Sequence, residues 1–429
     1  MSVANARNQA AGDTVRLEGV TCPFSSLLPD DLVVERSGDR LRISGHACAK
    51  FRAALENSPK QLQPRIKGKV ASLDEAITAA AGILRNSRQP LLSGLATDVG
   101  GMRAAVALAE SSGAVLDHMH GQSLSNNYRV LQTRGWMTTT LTEIRNRADL
   151  VLFIGTDAGQ FNGFYDRVIR PPEAMFEPKP ANRQLVYLGN GLQSKLGQHG
   201  KHKPQHLKCS PESLGEVVGA LNALINGQPV GNKVAGNKPA DLQTLAEQLQ
   251  QAKYSVIVWA PGELPQDNGE PIIEAACNLV QSLNTTTRSA GFSLGGQDAG
   301  VTAVNVAAWL TGYPLRVGFA RGYPAYDPVA HGLEHMLASR SADSMLWLST
   351  LNADKKMPDV GNMPSIVIAD TDTAFTQQPD VFIPAGIPGI DHAGTLIRAD
   401  SVVSMPLQQL RDSDRPSGRD VLQAIHAKL

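Results

Sequence analysis

The sequence of 429 residues has little cysteine, no excess of either charge and no long apolar run. Its four cysteines are too few and too scattered for a disulfide framework. Lysine plus arginine and aspartate plus glutamate each number 40, which argues against a nucleic-acid partner, since phosphate binding usually requires a basic excess. No stretch approaches the roughly 18 apolar residues that span a bilayer, and the polar start MSVANARNQAAGD lacks the apolar core of a secretion signal. We therefore expect a cytoplasmic protein with no membrane partner.

Helical and strand patterns alternate along the chain. Ser72 and Glu75 have the spacing of a capping box and begin the Ala-rich helix SLDEAITAAAGILRNS. The segments QPLLSGL and GAVLDH have the composition of buried strands, and the helical segment MRAAVALAESSG separates them. This alternation predicts βαβ units and a parallel sheet, so the fold class is α/β. A chain of this length suits two or three domains.

The N-terminal region contains half of the ligands of an iron–sulfur site. A [4Fe–4S] cluster needs four thiolates, commonly three in one short loop and a fourth further along. Cys22 begins such a loop and Cys48 is placed as the distant ligand, but the positions spaced as C-x2-C-x3-C hold Ser25 and Pro29. Because two thiolates do not hold a cubane cluster, we expect no cluster here.

The same region carries a resemblance to a known family. Cys22, the PDD string at residues 29–31, the hairpin LVVERSGDRLRIS and the HAC string at residues 46–48 resemble the opening of the B subunit of formylmethanofuran dehydrogenase, a molybdopterin oxidoreductase. Near the C-terminus, DVFIP at residues 380–384 and DHAGT at residues 391–395 are similar in order and spacing to strings of the same superfamily. The resemblance thus extends from Cys22 to about Pro406.

In this family a Cys or selenocysteine just before a His-Gly pair ligates molybdenum or tungsten, and Met119 holds that position here. A neutral thioether does not supply the anionic thiolate that such a metal requires. Taken alone, Met119 suits a core filler, and His118 and His120 suit ordinary histidines at a strand end. Together with Ser25 and Pro29, Met119 indicates that the redox site has been lost.

Several further patterns allow a functional and an ordinary reading. Glycine turns resemble phosphate-binding turns but also ordinary strand ends. The spacing H-x2-H-x3-H-x2-C would suit zinc, yet the surrounding glycines and proline indicate an irregular polar loop. We expect an inert core thiol at Cys277 and a contact surface on the loop with Arg321, Tyr323 and Tyr326. The glycine turns comprise Gly155, Asp157 and Gly159, then Gly189 to Gly191, then Gly291, Gly295, Gly296 and Gly300, and the histidine motif comprises His199, His202, His206 and Cys209.

The resemblance, limited by the missing ligands, implies a non-catalytic scaffold. The chain looks like the cofactor-less B subunits of this family, which are found in formyltransferase/hydrolase complexes of methylotrophic bacteria. Such complexes move a formyl group from formyl-tetrahydromethanopterin to methanofuran and release it as formate. The implied partners are a zinc amidohydrolase-like hydrolase subunit, a formyltransferase subunit and a C subunit. We therefore assign no catalytic, cofactor-binding or metal-binding residue and no cofactor to this chain.

Two other functions remain open from the sequence alone. One is an active formylmethanofuran dehydrogenase subunit that binds a molybdenum or tungsten pterin without the Cys ligand. The other is a binding module that uses the emptied pterin crevice.

The resemblance also implies the architecture. We expect two Rossmann-like doubly wound domains plus a small N-terminal β module, as in molybdopterin oxidoreductases. The module takes residues 1–55 and is completed by 401–429, a discontinuous α/β domain takes 56–145 plus 330–400, and a Rossmann-like domain takes 146–329.

Overall fold

The structure is a computed structural model that describes residues 14–38, 40–45, 47–56, 61–176, 179–199, 203–351 and 353–429. Its strands, in chain order, are β1 (Val15–Val20), β2 (Leu32–Ser37), β3 (Arg40–Ser44), β4 (Arg65–Ile66), β5 (Lys69–Val70), β6 (Pro90–Ala96), β7 (Val115–Leu116), β8 (Leu150–Ile154), β9 (Gln184–Leu188), β10 (Gln205–Leu207), β11 (Ser255–Trp259), β12 (Ser289–Ser293), β13 (Val317–Gly318), β14 (Ala325–Tyr326), β15 (Ser344–Ser349), β16 (Ser365–Ala369), β17 (Val381–Pro384), β18 (Gly394–Ile397) and β19 (Ser404–Leu407).

The α-helices, in chain order, are α1 (Ala49–Glu56), α2 (Leu73–Arg85), α3 (Val99–Ser112), α4 (Gly121–Arg134), α5 (Leu141–Arg147), α6 (Leu214–Ile225), α7 (Pro239–Gln251), α8 (Gly269–Leu283), α9 (Gly300–Thr311), α10 (Leu333–Ala338) and α11 (Gly418–His426). Among the described residues, none of the helices combines the length and apolarity needed to cross a bilayer.

The chain forms two compact units. Unit 1 comprises the described residues up to Met119 together with Gln297–Ile397 and Ser404–Leu429, and unit 2 comprises His120–Gly296 and Arg398–Val403. The division therefore falls at other places than the expected boundaries at residues 145 and 330, and the N-terminal module is counted within unit 1.

Unit 1 is built on a mixed sheet with a parallel centre. The parallel strands lie in the order β7-β6-β15-β16-β17, and the antiparallel strands β13 and β14 extend one edge while β4 and β5 extend the other. The N-terminal strands form a separate antiparallel sheet in the order β1-β2-β3. The β2–β3 pairing agrees with the predicted hairpin, whose turn residue Asp39 lies outside the described residues, as does His46.

Unit 2 is built on a five-stranded, fully parallel sheet in the order β10-β9-β8-β11-β12. The order reverses between β8 and β11, which is the strand order of a Rossmann fold. Every residue of β8 and β11 is buried, because helices cover both faces of such a sheet. The predicted doubly wound α/β fold is therefore confirmed in both units.

Candidate functional site

Cys22 and Cys48 lie side by side. Their sulfur atoms are 3.4 Å apart, Cys22 is fully buried and Cys48 is half-buried just before α1. The loop that begins at Cys22 is closed by a hydrogen bond from the Cys22 amide to the Pro29 carbonyl at 2.9 Å. The Oγ atom of Ser25 accepts a hydrogen bond from the Leu27 amide at 3.4 Å, so this buried hydroxyl is engaged within its own loop.

The contact between the two thiols shifts their pKa values in opposite directions. The hydrogen bond with Cys48, reinforced by burial, raises the pKa of Cys22 well above its usual value. When Cys48 is ionised, the Cys22 thiol donates a hydrogen bond to its sulfur, which lowers the pKa of Cys48 to about 7. Cys48 is therefore the more reactive group, because the thiolate is the nucleophile. This pair supplies half of the thiolates of a cubane cluster, and neither the loop hydroxyl nor Pro29 supplies the rest.

Met119 is a core residue. It is fully buried and belongs to the same hydrophobic cluster as Cys22 and Trp347. Its amide donates to the Gly94 carbonyl at 3.1 Å, and its own carbonyl accepts from the Lys355 ammonium group. A buried, neutral thioether within an apolar cluster does not fit the donor set of a molybdenum or tungsten centre.

The residues around Met119 are tied to the protein. The Nε2 atom of His118 lies 3.0 Å from the Asp298 carbonyl. Asp117 is buried, and its carboxylate accepts from the amides of His118 at 3.0 Å and Leu333 at 2.7 Å. These contacts place the DHM string at the carboxyl end of β7 in a structural role.

Asp117 also forms a buried ion pair with Arg316. Asp117 Oδ2 lies 3.5 Å from Arg316 Nε, and the two side chains are 0% and 6% exposed. Burial raises the pKa of Asp117 to about 6, and the nearby guanidinium opposes this rise. No local signal in the sequence marks Arg316, because its partner lies on a distant part of the chain.

The DHAGT string is a structural turn. Asp391 is buried, and its two carboxylate oxygens bind the Ile387 amide at 2.8 Å and the Arg411 guanidinium at 2.6 Å. Gly394 passes close to Asp98, since a Cβ atom added at Gly394 would lie 2.7 Å from Asp98 Oδ2. The string thus holds β18 against the start of α3.

The glycine turns of unit 2 pack closely against side chains of the same unit. Gly155, at φ +65°, ends β8, and a Cβ atom added there would lie within 3.0 Å of Leu214 and Leu264. Gly291 faces the Trp259 ring, to which an added Cβ atom would come within 2.8 Å. Asp157 is engaged by the amides of Gly159 and Gln193, both at 2.8 Å.

The histidine motif is only partly described, because His202 lies outside the described residues. His206 Nε2 lies 2.6 Å from the Gly189 carbonyl. Burial raises the pKa of Cys209 to about 11 and that of Cys277 to about 12, as for inert thiols. Across the described part of the chain, no three His, Cys, Asp or Glu side chains are grouped so as to hold a metal ion.

No protein-family model matches the chain. Among curated proteins, it is 32% identical over 339 residues to the B subunit of the formyltransferase/hydrolase complex Fhc of Methylorubrum extorquens, covering 77% of this chain and 87% of that protein. It is also 28% identical to the B subunit of the tungsten-containing formylmethanofuran dehydrogenase 2 of Methanocaldococcus jannaschii, covering 96% of this chain and 98% of that protein.

Solved structures give the same result. The crystal structure of the formyltransferase/hydrolase complex FhcABCD from Methylorubrum extorquens with methylofuran contains a chain that matches with a TM-score of 0.73 and 30% identity, covering 85% of this chain and 98% of that one. Acetylene hydratase from Pelobacter acetylenicus matches with a TM-score of 0.65 at 13% identity, covering 96% of this chain and 69% of that one, which shows the fold alone. The chain therefore belongs to the family of B subunits of formyltransferase/hydrolase complexes and is homologous to the B subunits of formylmethanofuran dehydrogenases.

Proposed function

We propose that the chain is a non-catalytic, structural B subunit of a cytoplasmic formyltransferase/hydrolase complex. The complex converts formyl-tetrahydromethanopterin through formylmethanofuran to formate. A zinc amidohydrolase-like subunit and a formyltransferase subunit perform the chemistry, and a C subunit completes the assembly. The relative of 32% identity from such a complex, and the structural match to FhcABCD, support this proposal.

The observation that carries the proposal is the burial of Met119. This residue stands where the family resemblance implies a metal-ligating Cys or selenocysteine, yet it packs in the apolar core and is 0% exposed. The thiol pair Cys22–Cys48 supports the same proposal, because it offers two sulfur atoms and a cluster needs four. We propose that this chain carries no cluster, pterin or redox metal.

Metal and pterin analysis of the chain, purified anaerobically with its co-purifying proteins, tests the proposal. We expect zinc associated with a partner protein and less than stoichiometric iron, tungsten, molybdenum and pterin. Reconstitution of the isolated chain with iron and sulfide provides the control for cluster loss during purification. A full cluster or a bound pterin nucleotide would show that the chain is a redox subunit.

We propose that the partner subunits contact an aromatic surface on unit 1. Trp309 and Leu310, in the last turn of α9, are 63% and 50% exposed, and Tyr323 is 55% exposed. Tyr313 follows α9 and stacks on Tyr326 with ring centroids 5.1 Å apart. Large exposed aromatic side chains are typical of interface centres.

Substitution of one aromatic side chain tests this surface. Trp309→Ser should weaken co-purification of the partner subunits by at least about tenfold, the effect of losing an interface anchor. Met175→Ser is the control, because Met175 is an apolar side chain that is 77% exposed in unit 2. Equal yields of partner subunits with both variants would place the interface elsewhere.

A further inference from the structure

Unit 2 contains a polar cavity at the amino end of its sheet. The cavity has a volume of about 200 Å³ and lies beside the starts of β9 and β10. Because these strands are parallel, both starts lie at the edge opposite the carboxyl ends, where open α/β sheets normally bind ligands. The cavity is therefore separate from the crevice that the fold would use for a cofactor. Its lining residues are Arg170, Asn182, Arg183, Gln184, Leu185, Val186, Lys203, Pro204, Gln205 and Gln248.

The cavity is lined by three cationic side chains and, among its described lining residues, by no carboxylate. Arg183 is 2% exposed and donates to the carbonyls of Ala148, Val168, Ile169 and Arg145 at 2.5 to 3.0 Å. These bonds hold the guanidinium in position. Because all four acceptors are neutral carbonyl oxygens, they do not neutralise its positive charge. Burial, with a contribution from Arg170, lowers the pKa of Arg183 to about 10.

A carboxylate that influences Arg183 is already engaged elsewhere. Asp149 raises the pKa of Arg183, but its effect is smaller than the effects of burial and of Arg170. Its two carboxylate oxygens accept the amides of Lys253 at 2.7 Å and Tyr254 at 3.0 Å. The positive charge of the cavity is therefore not neutralised by this residue.

Two buried polar atoms of the lining residues have no hydrogen-bond partner within the described part of the chain. Arg170 donates from its Nη atoms to the carbonyls of Pro180 and Gly197, but its Nε atom is buried and unpaired. The Oε1 atom of Gln248 is likewise buried without a described partner. An unpaired donor and an unpaired acceptor cost stability. A ligand that offers both an acceptor oxygen and a hydroxyl proton would satisfy both.

We propose that this cavity binds a small protonated oxyanion of the hydrogenphosphate type. The Arg170, Arg183 and Lys203 side chains supply the positive charge, and the Gln248 amide oxygen accepts a hydrogen bond from the anion's hydroxyl group. Arginine suits oxyanions because its planar fork matches their geometry. The volume lies below the roughly 300–1,000 Å³ of drug-sized ligand pockets, so a small ion suits the cavity better than a nucleotide.

Titration calorimetry of the full chain with inorganic phosphate near neutral pH, at ionic strength held constant with chloride, tests the proposal. We expect saturable binding of phosphate and weaker binding of sulfate, which carries no proton at this pH. Absence of phosphate binding above the chloride background would overturn the proposal. Sulfate binding as tight as that of phosphate would contradict the role of Gln248.

A matched pair of lysines on the two ends of one strand gives the control. Lys203→Gln removes a cavity charge before β10 and should weaken phosphate binding about tenfold. Lys208→Gln removes another exposed charge just after β10, outside the cavity lining, and should leave binding unchanged. Both lysines are exposed, so both variants should fold, which circular dichroism verifies. Equal loss of binding in the two variants would show only nonspecific attraction and overturn the site.

Discussion

The carboxyl ends of the parallel strands carry different contacts in the two units. In unit 1, the edge beyond β7 contains buried charge, with Asp117 paired to Arg316 and His118 held by a backbone carbonyl. In unit 2, Gly155, the first residue beyond β8, packs against the apolar side chains of Leu214 and Leu264. Ligand sites of open α/β sheets lie at this edge. The same region of one fold type thus carries a buried ion pair in one unit and close apolar packing in the other.

The largest expected effect comes from breaking the ion pair of unit 1. Above the pKa of Asp117, for example at pH 8, Arg316→Met leaves a buried carboxylate without its counter-ion, and such a loss typically destabilises by about 3–5 kcal/mol. Urea unfolding, followed by hydrogen exchange of peptides from β15, measures the effect on unit 1. Arg321→Met, which removes an exposed arginine nearby, is the control and should change stability by less than about 0.5 kcal/mol. Equal stabilities of the two variants would refute the contribution of the pair.

The charge in unit 1 should also make its stability depend on pH. The folded pKa of Asp117, about 6, lies above the ordinary value of 3.8, so burial favours its neutral form. Its contribution is fully present below about pH 4 and is lost as the pH rises through 6. Relative to Asp117→Asn, which does not titrate, the wild type should lose about 3 kcal/mol between pH 3 and 8. Parallel stability curves for the two proteins across this range would contradict the assignment.

The packing around Gly155 in unit 2 should respond to added side-chain volume instead. Gly155→Ala adds a Cβ atom that meets Leu214 and Leu264, at a positive φ that disfavours alanine, and should cost about 2–3 kcal/mol. Gly191→Ala is the matched control, because its φ is +74° but nothing described lies within 4 Å of the added atom. Hydrogen exchange of peptides from β8 should show a larger loss for the first variant. Equal losses of protection in the two variants would mean that backbone strain alone, and not packing, explains the need for glycine at position 155.

The smallest expected effect is a change in the chemical reactivity of the thiol pair, measured as the pH midpoint of alkylation. Iodoacetamide should alkylate Cys48 before the other thiols, with a rate that rises through a midpoint near pH 7, because the Cys22 thiol stabilises the Cys48 thiolate. In Cys22→Ala the midpoint should move to higher pH. Mass spectrometry of peptides over a pH series measures both rates. An unchanged midpoint in the variant would disprove the influence of Cys22.

Local patterns in the sequence predicted much of the fold. The Ser72–Glu75 capping box is formed, with the Ser72 amide 2.8 Å from Glu75 Oε2 and the Glu75 amide 3.3 Å from Ser72 Oγ. The predicted strand QPLLSGL is β6, and the predicted helical segment MRAAVALAESSG lies in α3. Such features depend on neighbours within a few residues, which a single sequence displays directly.

The contacts between distant segments were not predictable. Cys22 and Cys48 are 26 residues apart, and their spacing alone left open whether they meet. The Asp117–Arg316 pair and the cavity between Arg170 and Lys203 depend on which strands become neighbours in each sheet. Sequence periodicity identifies strands but does not set their order, because long crossover connections separate them.

The chain order of the strands has a consequence for biosynthesis. Unit 2 is inserted between β7 and β13 of unit 1, apart from the short return segment Arg398–Val403. During translation, β6 leaves the ribosome long before β15, its central neighbour in the sheet. At usual elongation rates this delay is about 10–50 s, during which unit 2 completes its own sheet. Over that interval β6 has β7 as a neighbour but lacks β15, so one edge of this apolar strand stays unpaired, which makes the nascent chain a candidate for chaperone protection.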